Sequence, residues 1–173
     1  MILEIEHVTM KFGGLTVLND ISFSVGKNTI HGIIGPNGSG KTTLFNVISR
    51  IYTPVKGEIR FEGKNIIPLQ THELAKLGIA RTFQLLRVFP SMTVQENLML
   101  AMTPNEKLTV LDDVLCTPRK KRQEEEMRVR AQEVLKLIGL EKKANNPTDG
   151  ISIGQRRMLQ LGLAVISRPK LLL

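Results

Sequence analysis

Residues 35–42 read Gly-Pro-Asn-Gly-Ser-Gly-Lys-Thr, the G-x-x-x-x-G-K-Ser/Thr pattern, and no other stretch of the chain restricts its fold so sharply. With ordinary residue frequencies a chance match in a chain of this length is expected roughly once in 150 cases. The pattern works only between a strand and a helix, and both flanks fit. Ile30, Ile33 and Ile34 form an apolar run ending at Gly35, which predicts a buried central strand. Over residues 41–50, Leu44, Val47 and Ile48 share one helical face, and Pro54 and Gly57 close the unit. Gly35, Gly38 and Gly40 let the backbone curl, so that its N–H groups converge on phosphate oxygens. The helix beginning near Lys41 adds its positive end. Within that frame Lys41 reaches the β- and γ-phosphates, the Thr42 hydroxyl ligates Mg²⁺, and Thr43 holds the α-phosphate. Pro36, Asn37 and Ser39 complete the loop. A dinucleotide fingerprint fits less well, because Lys41-Thr42-Thr43 follows Gly38-x-Gly40 where a third small residue is needed.

Composition agrees with an α/β domain. The 173 residues are 42% apolar and 23% charged, which disfavours disordered, collagen-like and disulfide-scaffold classes. No run approaches the roughly 18 apolar residues of a bilayer span, and MILEIEHVTM lacks a signal-peptide pattern. The single cysteine, Cys116, excludes an intrachain disulfide and suits a reducing compartment. The net charge of +8 favours polyanionic partners in general, nucleotide phosphates, nucleic acid or acidic lipid among them.

Alternation at Leu3, Ile5, Ile21, Phe23 and Val25 predicts half-buried strands around the Phe12-Gly13-Gly14 turn, and residues 57–63 predict another strand. A short helix is expected over 71–77, stopping at Gly78. Past Gln84 the pattern turns helical. Thr93-x-x-Glu96 and Ser152-x-x-Gln155 have capping-box spacing, the second ahead of an apolar helix over 158–166. Met127, Ala131, Val134, Leu135 and Ile138 predict an amphipathic helix over 124–138. The PRKKRQEEE block at 118–126 reads as an exposed connector or that helix's first turns. The expected division is residues 1–84, an ATP-binding core with an antiparallel β subdomain; 85–150, a helical insertion; and 151–173, a capped helix and the start of a further core strand.

Four segments in order, MKFGGLTVLNDISFSV at 10–25, GPNGSGKTTLFNVIS at 35–49, ARTFQLLRVFPSMTVQENLMLA at 80–101 and ISIGQRRMLQLGLAV at 151–165, resemble the ATP-binding subunits of ABC transporters. Within that family they are most similar to the branched-chain amino acid importer ATPases. The resemblance implies a P-loop NTPase fold of the ABC type with ATP and Mg²⁺ as cofactors. It implies that Phe12 stacks on adenine. It also implies that Gln84 joins the Mg²⁺ shell and senses the γ-phosphate or attacking water. Residues 151–155 match the signature motif, with Ile153 where the family commonly has glycine. Ser152, Gly154 and Gln155 would then face the γ-phosphate held by a second subunit in a head-to-tail dimer. The ending SRPKLLL resembles the approach to the Walker B strand and stops before its acidic pair, so the chain reads as C-terminally truncated, with weak nucleotide binding and deficient hydrolysis. None of His7, His31 or His72 is placed to act as the family's switch histidine.

By that resemblance the chain is the energy-coupling subunit of an amino acid importer, peripheral to the cytoplasmic face of the membrane. Its implied partners are membrane-spanning permease subunits, a second ATP-binding subunit and, indirectly, a solute-binding receptor. Residues Leu85 to Phe89 are the expected permease contact. Two alternatives stay open: a soluble ABC ATPase acting on nucleic acid, and a hydrolysis-deficient nucleotide-binding module. The 111 residues from Lys41 to Ser152 leave no room for the long coiled coil of chromosome-maintenance members, and no nucleic acid partner is expected. Exposed central strands would drive aggregation or partial unfolding unless a partner chain or a compact rearrangement covers them.

Overall fold

Period-two alternation near the N-terminus builds an antiparallel sheet. In the computed structural model, which describes residues 1–82, 88–102 and 118–173, strand β1 (Leu3–Phe12) pairs with β2 (Leu15–Val25) on one edge. On its other edge it pairs with β3 (Lys56–Phe61), which carries β4 (Lys64–Asn65), giving the order β2-β1-β3-β4. Leu3, Ile5, Val8, Ile59 and Phe61 are buried on one face, as alternation requires. The β1–β2 register breaks between Ile5 and Val8, and His7 and Asp20 adopt left-handed φ values of 53° and 54° there. Their side chains meet, His7 Nδ1 to Asp20 Oδ1 at 2.7 Å. Gly57 fits against the same bulge at φ 99°, where a Cβ would lie 2.6 Å from the His7 carbonyl oxygen.

Helix α1 (Lys41–Ile48) buries Leu44, Val47 and Ile48, and α2 (Thr71–Leu77) ends at left-handed Gly78. Both match the expected spans closely. The central strand does not form. Residues 30–34 have no strand assignment, and Ile30 and Ile34 are fully exposed. Among the described residues no strand pairs with this segment; the other sheet joins β5 (Ile79–Ala80) to β6 (Leu171–Leu172). A strand of this kind is stabilised by the ladders of its neighbours, and apolar composition cannot replace them.

Two compact units result, residues 1–79 with Leu173, and residues 80–172. In the second, α3 (Val94–Leu100), α4 (Pro118–Leu137) and α5 (Ile153–Val165) close one core through Val94, Leu98, Ala131, Leu135, Ile138, Leu159 and Ile166. The basic-then-acidic block is thus the first turns of α4. Helix α5 packs with α3 and α4. Gly162 makes that possible, because a Cβ there would sit 2.9 Å from Ile138 Cδ1 and 3.2 Å from Leu98 Cδ2.

The α3 capping box forms as expected. Thr93 Oγ1 accepts from the Glu96 amide at 3.1 Å, and Glu96 Oε2 accepts from the Thr93 amide and hydroxyl, both at 2.8 Å. The Thr93 backbone and side-chain donors hold the Glu96 carboxyl below its ordinary value of 4.5. A lowered folded-state value means the cap stabilises fully above pH 4.5 and is lost as pH falls through the lowered value. The stability gap between the unaltered chain and Glu96→Ala is therefore expected to close on acidification in urea unfolding curves. A gap that stays constant across that range contradicts the assignment.

Candidate functional site

Lys41 opens helix α1 at a start with no side-chain cap. Gly40 at the N-cap has φ 86° and offers no side chain, and the first turn of α1 carries no acidic residue. The amides of this turn have no intrahelical acceptor by geometry, and the helix dipole leaves this end positive. The loop ahead of it is tightly wound: Ser39 N–H donates to Pro36 O at 3.3 Å, and a Cβ on Gly35 would lie 2.8 Å from Ser39 Oγ. Lys41 folds back over it, Nζ donating to the carbonyls of Gly35 and Pro36, each at 2.7 Å. A cation is thus parked on neutral acceptors at the mouth of an anion-accepting helix end. Asn37, Gly38, Ser39 and Thr42 are exposed, and Thr43 is half-buried.

Strand β2 forms one wall. A Cβ on Gly40 would meet Leu18 Cδ2 at 2.9 Å and Val17 O at 3.0 Å. Phe12 stands across the hairpin turn from Leu15, and Leu15 to Val17 spans roughly 7 Å of strand. The β1–β2 hairpin thus carries Phe12, 41% exposed, on the same strand pair whose Val17 and Leu18 meet Gly40. Behind the loop a cavity of about 480 Å³ is lined by residues including Phe23, Ile33, Gly35, Lys41 and Leu44. His31 stacks on Phe23 there, with planes within 8°. No acidic side chain lines the cavity among the described residues.

Ser152, Gly154 and Gln155 lie in the second unit at the start of α5. The predicted capping box is present, with Gln155 N–H donating to Ser152 Oγ at 3.2 Å and Ser152 N–H to Gln155 Oε1 at 2.9 Å. Gln84 lies outside the described residues, as do Leu85, Leu86 and Arg87 of the expected permease contact. Phe89 of that contact is described and 55% exposed.

The sequence reading did not single out three residues that shape these sites. Arg50 binds the carbonyls of Leu69 and Tyr52 at 3.3 and 3.2 Å, and burial pushes its pKa down. Arg156 holds the approach to α5 through Ile151 O at 3.2 Å and Asp149 O at 2.6 Å. Asn97, buried to 2% exposure, ties the backbone at Phe89 to Thr148. A single Asn or Arg carries no periodic signal, so only spatial proximity reveals such roles.

The ABC transporter family profile matches residues 18–173, most of the chain. The chain belongs to the ABC transporter family. Its relatives include the high-affinity branched-chain amino acid transport ATP-binding protein BraF of Pseudomonas aeruginosa, 37% identical across 99% of this chain and 68% of that protein. LivG of Escherichia coli, of the same description, is 34% identical over the same shares. Among solved structures, the ADP conformation of MJ1267, an ATP-binding cassette of an ABC transporter, superposes with a TM-score of 0.82 at 33% identity, covering 99% of this chain and 66% of that one. A nucleotide-free cassette from an ABC transporter gives 0.80 at 34% identity, with 99% and 67% covered. The chain thus spans about two thirds of the length of these relatives. The P-loop ABC-type fold expected from the motifs is the fold observed. Among the described residues no helix is long and apolar enough to cross a membrane.

Proposed function

We propose that this chain is the ATP-binding, energy-coupling subunit of an importer for branched-chain or related amino acids. The observation that carries it is the start of α1, which has no side-chain cap and joins Gly40, the wound loop from Gly35 to Ser39 and Lys41 Nζ, an arrangement suited to phosphate oxygens. On nucleotide binding, Lys41 exchanges its two carbonyl acceptors for β- and γ-phosphate oxygens, which hold a cation more strongly. The first-turn amides of α1, including those of Thr42 and Thr43, take the remaining oxygens. The exposed Thr42 hydroxyl and Gln84 are the residues that would hold Mg²⁺, which supplies charge neutralisation at the phosphates. Phe12 receives the adenine ring on its exposed face.

The same reading assigns Ser152, Gly154 and Gln155 to the phosphate of a second ATP-binding subunit, head to tail. Ser152 Oγ accepts the cap bond and keeps its own proton to donate outward. Among the described residues a Cβ at Gly154 would meet only Ser152 Oγ at 3.9 Å, which supports close approach of a ligand as the reason for glycine there. ATP turnover by these 173 residues is expected to be slow, because among the described residues the cavity behind the loop is lined by no carboxylate to accept a proton from water.

Calorimetric titration with MgATP tests the central claim. Lys41→Ala is expected to weaken binding about 10- to 100-fold, the loss of a charge-assisted contact. Equal affinity for both proteins would remove the proposal. For the permease contact, the Phe89 backbone is pinned by Asn97 in both directions, N–H to Oδ1 at 2.8 Å and Nδ2 to O at 3.1 Å, while its ring faces outward. Phe89→Asp is expected to abolish co-purification with the permease subunits while leaving MgATP affinity unchanged; intact co-purification contradicts this docking assignment. By this reading the subunit sits on the cytoplasmic face of the membrane, with the receptor engaged only through the permease.

A further inference from the structure

The phosphate loop and its helix leave unexplained the chain's only tyrosine, Tyr52. Its ring meets that of Phe12 edge to face, with centroids 5.1 Å apart and planes at 81°. We infer that Tyr52 is a positioning residue for the base of a bound nucleotide: it holds Phe12 as a fixed stacking platform and ties that platform to the helix carrying the phosphate loop. The inference rests on reading Phe12 as the base-stacking residue.

Tyr52 is unusually well anchored for a loop residue. The amides of Ile51 and Tyr52 both donate to Asn46 O of α1, at 2.8 and 3.2 Å. Arg50, left-handed at φ 58°, donates to Tyr52 O at 3.2 Å and to Leu69 O at 3.3 Å, while its own carbonyl accepts from Thr71 Oγ1 at 3.0 Å. The segment is therefore a rigid extension of α1, whose eight residues span about 12 Å from the phosphate loop to this anchor. Phe12 has no such support of its own. It ends β1 beside the Gly13-Gly14 turn and is 41% exposed, so an isolated ring there would populate several rotamers.

An edge-to-face contact covers at most one face of Phe12 and leaves the other for a base. It also fixes the distance between base platform and phosphate loop, because both then move with α1. A preorganised platform binds without the cost of ordering it. An aromatic pair of this geometry corresponds to about twofold to tenfold in affinity, felt only by a ligand that has a base.

Calorimetry on the full 173-residue chain with MgATP and with magnesium tripolyphosphate, which lacks the base, separates the possibilities. Tyr52→Ala is expected to weaken MgATP about threefold to tenfold, leave tripolyphosphate within about twofold, and be rescued by Tyr52→Phe. Tripolyphosphate binding also reports that the variant is folded. Unchanged MgATP affinity in Tyr52→Ala, or equal losses for both ligands, overturns the inference. Phe12→Ala distinguishes its failure from that of the underlying reading. If Phe12→Ala weakens MgATP while Tyr52→Ala does not, only the positioning role falls. If Phe12→Ala has no effect, or the unaltered chain binds no MgATP, the base-stacking reading falls and takes the positioning role with it.

Discussion

Replacing Asn97 by leucine is expected to destabilise the helical unit by about 2–4 kcal/mol, although leucine is apolar and of similar size. The Asn97 amide is buried and fully used. Its oxygen accepts from Phe89 N–H at 2.8 Å, and its nitrogen donates to Phe89 O at 3.1 Å, Thr93 O at 3.0 Å and Thr148 Oγ1 at 3.0 Å. Some of these partners have second bonds. Thr93 O also accepts from the Asn97 backbone at 3.0 Å, and the Thr148 hydroxyl donates to Met92 O at 2.9 Å. The Phe89 carbonyl keeps the Met92 N–H at 3.2 Å, so the half-buried Phe89 N–H, which loses its acceptor, carries most of the expected cost. Hydrogen exchange at the amides of α3 and α5 reads this unit separately from the β-sheet unit, which a single melting temperature would not do. A loss below about 1 kcal/mol would show that water or a shifted backbone replaces the amide. Phe89 and the approach to α5 both hang from this residue, so the same variant is expected to loosen the proposed permease contact and the Ser152 cap together.

Gly40→Ala is expected to weaken MgATP about 30- to 150-fold, equivalent to about 2–3 kcal/mol. Two effects add. At φ 86° an alanine is strained whatever the space around it. The new Cβ would also lie 3.0 Å from Val17 O, a backbone atom of β2 that cannot turn aside. The loop must shift, and the amides that converge on the phosphates shift with it. Gly38→Ala is the informative control. Its φ of 81° carries the same strain, but nothing lies within 4 Å of its Cβ, so a smaller loss of about 1–2 kcal/mol is expected. Calorimetry that finds the two variants equal would show that strain alone, not the wall formed by β2, makes Gly40 necessary.

The best-read parts of the chain are those whose signals are local. The spacing of Thr93 with Glu96 and of Ser152 with Gln155 marks two helix starts that form with the expected bonds, because a capping box closes within one turn. The stripe from Met127 to Ile138 marks the buried face of α4 for a similar reason, since helical periodicity is intrinsic to the backbone. The turn ahead of α1 is legible because Gly38 and Gly40 answer to local backbone angles, φ 81° and 86°. Ile30 to Ile34 were misread for the opposite reason. Their apolar character predicted a buried strand, yet strand formation depends on ladders that no described segment provides. Gly162 is illegible in the sequence for a related reason: its role shows only once Leu98, Val134 and Ile138 are seen against it.

What the sequence determined by itself is the glycine-wound start of α1, the caps and the family, each written in residues a few positions apart. What only the tertiary structure decided is which distant residues cooperate: Tyr52 against Phe12, Asn97 between Phe89 and Thr148, Val17 against Gly40, Arg156 under the start of α5. The physical reason is range. Caps, turns and periodicity depend on dihedral angles and bonds within one or two turns of chain, whereas buried polar contacts and ring pairs depend on how segments distant in sequence pack within each unit, which no short window of sequence contains.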